Sequence, residues 1–168
     1  MRGSGGLSWS PVQNRVVLEF ASELSAPPEK VWSWMTSVKG ISAELWPVMR
    51  MTTPAGATTI GDVTVVPGKR LFRSWVLLFG IVPIDRSDLT LVSIDPGRGF
   101  VEESPMLSMK LWRHERTISA NRDRTLLTDT LTFEPRFVPR FTTWFIRKVF
   151  EHRHRVLKGS ALSRFGGA

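Results

Sequence analysis

The stretch 107–133, LSMKLWRHERTISANRDRTLLTDTLTF, decides the fold. Alternate residues of a β-strand share a face, so its first half sets Trp112, His114 and Arg116 side by side and its second half does the same for Leu127, Asp129, Leu131 and Phe133. Asn121 to Asp123 lie between the halves as turn residues, which predicts a hairpin. A plain core face is wholly apolar. Here an imidazole, a guanidinium and a carboxylate stand among aromatic and aliphatic groups, and that pattern predicts a cavity with a few polar groups on its wall.

Upstream, 88–94 and 100–103 read as further strands around a turn at Asp95, Pro96 and Gly97, extending an antiparallel meander. Residues 15–24, RVVLEFASEL, alternate with Val16, Leu18, Phe20 and Leu24 on one face and make the first strand. The run from Ser25 to Glu29, with Pro27 and Pro28, starts a helix that carries Val31, Trp32 and Met35 inward to about Ser37. Gly40 is read as its break, Ile41 to Leu45 as a second short helical turn stopped by Pro47. Strands are expected over 48–53 and 62–66. The segment 71–83, LFRSWVLLFGIVP, is too uniformly apolar for periodicity to decide; it is read as a short helix over the mouth of a cavity, with a buried strand as the alternative.

A last helix is expected over 139–162, with Ile146, Val149, Phe150, Leu157 and Ala161 as its apolar stripe and Arg153 near the stripe's middle. The elements sum to an α+β architecture. An antiparallel sheet of six to seven strands wraps a long C-terminal helix, with two short helices after the first strand. Residues 14–162 are expected to form one domain, with tails at 1–13 and 163–168.

At 168 residues the chain is long enough for a core that needs no staple, and without cysteine it has no disulfide, thiolate or Cys-ligated metal. The first eleven residues lack the continuous apolar run of a secretory signal, and the longest apolar run, 75–83, is far short of the ~20 residues that span a bilayer. A cytoplasmic location is expected. The net charge of +8 concentrates towards the C-terminus, where Arg136, Arg140, Arg147, Lys148, Arg153, Arg155, Lys158 and Arg164 face Glu151 alone. An outer helix face bearing Arg147, Lys148, Arg155 and Lys158 is either a solvated surface or a contact for anionic lipid; no motif for sequence-specific nucleic-acid recognition accompanies it.

The order of elements, taken with particular residues, resembles the START-like helix-grip superfamily, also called the SRPBCC or polyketide cyclase/Bet v 1-like superfamily. The resemblance rests on Ala26-Pro27-Pro28-Glu29-Lys30-Val31-Trp32 after the first strand and on Gly99-Phe100-Val101-Glu102-Glu103. Trp112-Arg113-His114-Glu115, Thr128-Asp129-Thr130-Leu131 and the segment from Phe150 to Leu157 complete it, over most of residues 14–162. It implies a sheet gripping the C-terminal helix around an apolar cavity, which across the superfamily holds lipids, sterols, polyketides or other hydrophobic molecules. Some relatives carry W-x-H-x-H where this chain has Trp112, His114 and Arg116, so a permanent cation replaces a second imidazole.

The candidate ligand-binding set is Trp75, Phe79, Glu102, Met109, Trp112, His114, Arg116, Asp129, Phe133, Phe150 and Arg153. Buried charges must be paired, so Asp129 is expected against Arg116 or Arg153. Three readings of the polar set stand side by side. The network ties the helix to the sheet; it anchors a ligand; or His114, tuned by Asp129, works as a general base while an arginine stabilises an enolate. Binding or transfer of a hydrophobic or amphipathic small molecule is the leading function, with a polyketide cyclase or aromatase-like enzyme, using His114 and Asp129 as catalytic candidates, and a protein-interaction domain as alternatives. No cofactor is expected, and no metal: HExxH is absent, and His152 and His154 lie two apart on a helix, on different faces. The GxxxxGK[ST] and G-x-S-x-G patterns are absent as well.

Overall fold

A computed structural model describes residues 15–59, 66–160 and 162. Seven strands, β1 (Val16–Leu24), β2 (Met49–Met51), β3 (Arg70–Leu78), β4 (Val82–Asp95), β5 (Gly99–Glu103), β6 (Met109–Asn121) and β7 (Arg124–Pro135), form one antiparallel sheet in the order β1-β7-β6-β5-β4-β3-β2. Helices α1 (Pro28–Thr36) and α2 (Val38–Leu45) follow β1, and α3 (Pro139–Gly159) closes the chain. This is the expected α+β helix-grip arrangement. Leu24, Val31, Met35, Leu127 and Leu157 are among the side chains that build one part of the core, and Leu18, Leu131, Phe133, Val149 and Phe150 are among those that build the other.

The alternation along β1, β6 and β7 is realised as read. On β7 every second residue from Thr125 to Phe133 is buried, because these face α3 while their neighbours face outward. Register then does the rest. Arg116 lies directly across from Asp129, and Glu102 directly across from His114.

Four expectations are corrected. Residues 71–83 are not a helix: they are most of β3 and the start of β4, joined at Phe79 and Gly80, both with positive φ as a tight hairpin turn requires. Ser74 and Val76 are buried while Arg73 and Trp75 are exposed, so the strand alternates in space, but apolar residues on its outer side hid that in the sequence. Gly40 does not break the first helix. The break is Ser37, whose Oγ–H donates to Trp34 O and whose Oγ accepts the Gly40 N–H, both at 2.9 Å, ending α1 and capping α2 at once. Gly40 sits inside α2 because a Cβ there would lie 2.1 Å from Trp34 O. Finally, the strand expected over 48–53 is confined to Met49–Met51, and the last helix ends at Gly159. The strand expected at 62–66 lies, apart from Val66, outside the described residues, as do Ala161 and the tails; Val66 is in no strand.

Candidate functional site

Between the sheet and α3 lies a cavity of about 270 Å³. Its wall is mostly apolar and carries Met35, Met49, Met51, Met106 and Met109, every methionine among the described residues. Trp112, Phe100, Phe145 and Phe150 supply aromatic surface. The charged groups on the wall are Asp85, Glu102, His114 and Arg153.

Asp85 serves the backbone. Its Oδ1 accepts the amides of Arg86 at 2.7 Å and Leu107 at 3.0 Å, and its Oδ2 accepts the Ser108 hydroxyl, so the carboxylate pins the 104–108 loop to β4. The other three belong to a buried network centred on Asp129, which is fully buried. Arg116 Nε–H donates to Asp129 Oδ1 at 2.7 Å and Arg116 Nη2–H to Oδ2 at 2.8 Å, a bidentate grip. His114 Nε2–H donates to Oδ1 at 2.6 Å, and His154 Nε2–H to Oδ2 at 2.9 Å. His154 Nδ1 in turn accepts the Ser22 hydroxyl at 2.7 Å; the tautomer follows from these partners.

Glu44, on α2 and fully buried, forms the second anionic centre. It accepts Arg153 Nε–H at 3.1 Å and Nη2–H at 2.8 Å, Arg116 Nη1–H at 3.1 Å, and the Trp34 indole N–H at 3.1 Å. One guanidinium thus bridges both carboxylates. Phe150 packs under Arg153, whose Cζ stands 4.8 Å from the ring centre, and its edge meets His114 at 5.4 Å between centroids.

The electrostatics follow from this geometry. Burial opposes ionisation of Asp129, but the charges of Arg116 and His114 and the hydrogen bonds of both histidines overcome it and hold the carboxyl well below its ordinary range. Glu44 is likewise lowered, burial being outweighed by Arg116 and Arg153. Burial also opposes the charged form of His114, yet Asp129 and the neighbouring Glu102, whose Oε2 lies 3.6 Å from Nδ1, raise its pKa above the ordinary imidazole value. In its charged form His114 is a donor at both nitrogens. With it charged, the carboxylates of Glu44, Glu102 and Asp129 are balanced by Arg116, Arg153 and His114.

Of the residues singled out in the sequence, Glu102, Met109, Trp112, His114, Phe150 and Arg153 line the cavity. Arg116, Asp129 and Phe133 are wholly buried behind its wall, where the first two orient His114 and Phe133 packs on Trp112, 6.0 Å between rings. Trp75 and Phe79 are corrected: they are 47% and 61% exposed and do not line it, since Trp75 is on the outer side of β3 and Phe79 at a hairpin tip. Glu44, His154, Ser22 and Asp85 were missed. His154 completes the α3 stripe as Phe150+4 and Leu157−3, Glu44 sits at Ile41+3, and Ser22 continues the β1 alternation, so each carried a positional signal. Ser22, His154 and Asp129 form a hydrogen-bonded chain, but Ser22 is buried and does not line this cavity, so the array is read as a structural tie. Among the described residues no three His, Asp or Glu side chains group as metal ligands.

A family model described as a domain of unknown function (DUF8410) matches residues 22–161. No curated protein matches. Among solved structures, a START superfamily protein from Mycobacterium smegmatis superposes with a TM-score of 0.60 at 13% identity, covering 85% of this chain and 94% of that one. Ara h 8.0201 gives 0.57 at 12% identity over 86% and 96%. DynU16, a protein of the dynemicin biosynthetic locus, gives 0.54 at 14% identity over 88% of this chain and 49% of its own. The fold is START-like.

Proposed function

We propose, for a chain that belongs to the family described as domain of unknown function DUF8410, that residues 14–162 bind a hydrophobic or amphipathic small molecule inside the sheet, in the cytoplasm. The observation that carries this reading is an apolar cavity whose polar wall groups other than Asp85 include Glu102, His114 and Arg153, tied into one pre-formed network. The two arms of that network hold their charges in place before a ligand arrives, which limits the ordering cost of binding. Methionine walls suit an occupant that is flexible or one of several similar shapes, because the unbranched thioether repacks readily. The START superfamily likeness supports the same class of ligand.

Binding is favoured over turnover by the state of His114. A general base needs an imidazole lone pair facing the substrate, whereas Nε2 of His114 is held by Asp129 and the upward shift of its pKa, caused by Asp129 and Glu102, favours the form that carries a proton on Nδ1 beside Glu102. The second reading, an enzyme of the cyclase or aromatase type, draws on the same residue in the opposite role. Nδ1–H has its Glu102 partner at 3.6 Å and is the proton that His114 has to give to a substrate oxygen at the cavity wall.

Native mass spectrometry of the protein purified from its own host, followed by solvent extraction, tests the reading. A stoichiometric apolar compound is expected, with His114→Gln and Arg153→Met each weakening its retention. A compound consumed by the wild-type protein but not by His114→Gln selects the enzyme; a mass free of any bound compound, together with no uptake of added fatty acid or aromatic probes, overturns both readings.

A further inference from the structure

The strand directions gather five segments at one end of the sheet: the start of β1 at Arg15, the approach to β2 at Trp46, the β3–β4 turn, the 104–108 loop, and the 136–138 turn into α3. Backbone bonds knit them, with Phe79 N–H on Val48 O at 2.9 Å, Leu107 N–H on Arg86 O at 3.3 Å and Arg136 N–H on Ser108 O at 2.9 Å. This end is unusually apolar for a surface. Phe79, Ile81, Phe137, Val138, Phe141 and Trp144 are each more than half exposed there, and the cavity wall reaches it through Ile84 and Phe141.

The same end is cationic. Arg15, Arg140 and Arg147 surround a shallow groove floored by Val16, Pro139 and Trp144. Among the described residues no carboxylate is in salt-bridge contact with these arginines or with Arg50: Glu151, which feels the charge of Arg147, is in contact with Lys148, and the half-buried Glu134 and Glu103 are paired with Lys110 and Arg113. Protruding aromatic and aliphatic side chains ringed by arginines in excess over nearby acids match the two layers of an anionic bilayer surface, apolar chains beneath and phosphates above.

We infer that this end docks on an anionic phospholipid membrane, with the β3–β4 turn and the start of α3 inserted and the Arg15–Arg140–Arg147 groove taking a lipid phosphate. The surface is distinct from the outer face of α3 towards Arg155 and Lys158, two to three turns further along the helix. Docking there sets the cavity wall against the bilayer, and it does not depend on what the cavity holds.

Co-sedimentation of the full chain with vesicles tests it, using phosphatidylcholine alone and phosphatidylcholine with phosphatidylglycerol in equal parts. Binding to the mixed vesicles is expected, weak or absent on phosphatidylcholine, and falling as salt is added. Each arginine near such a surface is worth roughly fivefold in affinity, so Arg140→Glu with Arg147→Glu should lose more than about tenfold. Ile81→Asp with Phe137→Asp should abolish pelleting, while Arg155→Glu with Lys158→Glu should stay within about threefold of wild type. Failure to bind mixed vesicles overturns the inference, as does an equal loss in the Arg155/Lys158 pair. A wild-type dimer that Ile81→Asp with Phe137→Asp makes monomeric, without vesicle binding, assigns the face to a second copy of the chain instead.

Discussion

Asn in place of Asp129 keeps the shape and removes the charge, yet four donors converge on that side chain: Nε and Nη2 of Arg116 and Nε2 of each histidine. An amide has one acceptor oxygen and turns an NH2 group against the remaining donors. Asp129→Asn should therefore cost about 3–5 kcal/mol in denaturant unfolding, the usual toll of breaking a buried ion pair, and loss of function in that variant would report on folding. The pH response has two limbs. His114 has a folded pKa raised above 6.5, so its contribution is complete below that value and is lost as pH climbs through the raised one. Asp129 and Glu44 are lowered below 3.8 and 4.5, so theirs is present above those values and is lost as pH falls through the lowered ones. Unfolding followed across pH should show both limbs in the wild type and only the acid limb in His114→Gln; an alkaline limb that survives the substitution would refute the assignment to His114. The Arg116–Asp129 pair and His114 were legible in the sequence because strand alternation exposes any polar residue on an inward face. Glu44 and His154 were not, because a helix read for its apolar stripe passes over polar residues that share it.

Between α1 and α2 the chain turns on two side groups of minimal size. Gly40→Ala places a methyl 2.1 Å from a backbone oxygen, and the helices must separate to admit it, at about 1–3 kcal/mol. Ser37→Ala, which removes the shared cap, should cost about 1 kcal/mol; chemical denaturation of the two variants checks both values, and an unchanged midpoint in Gly40→Ala would mean that the contact relaxes freely. The helix pair was legible in outline but its break was misplaced by three residues, since glycine announces flexibility whether it ends a helix or permits a close crossing. The strand over 71–83 was illegible for a different reason. Apart from Arg73, exposed positions such as Trp75, Phe79 and Ile81 are apolar where solvent would favour polar ones, and that erased the period-two signal.

At the scale of the molecule, element order and hydrophobic period fixed a sheet around α3, but not the gap between them. That gap depends on how far Glu44, Arg116 and Arg153, drawn together from α2, β6 and α3, hold the layers apart, and no single segment encodes it. Val149, buried on α3 and lining the cavity, offers a test. Val149→Phe should fill part of the space, keep or raise the melting temperature of the ligand-free protein, and reduce uptake of an apolar probe; a lowered melting temperature with unchanged uptake would show that the wall is already close-packed there. The methionine lining has a further consequence, in oxidation chemistry. Peroxide converts a thioether into a polar sulfoxide, and the five such groups among the described residues all lie around one cavity, in a protein with no cysteine to intercept the oxidant. An occupant that covers them should slow their sulfoxidation, so peptide mapping after mild peroxide gives a footprint of occupancy. Conversely, sulfoxidation makes this wall polar and should weaken retention of an apolar probe.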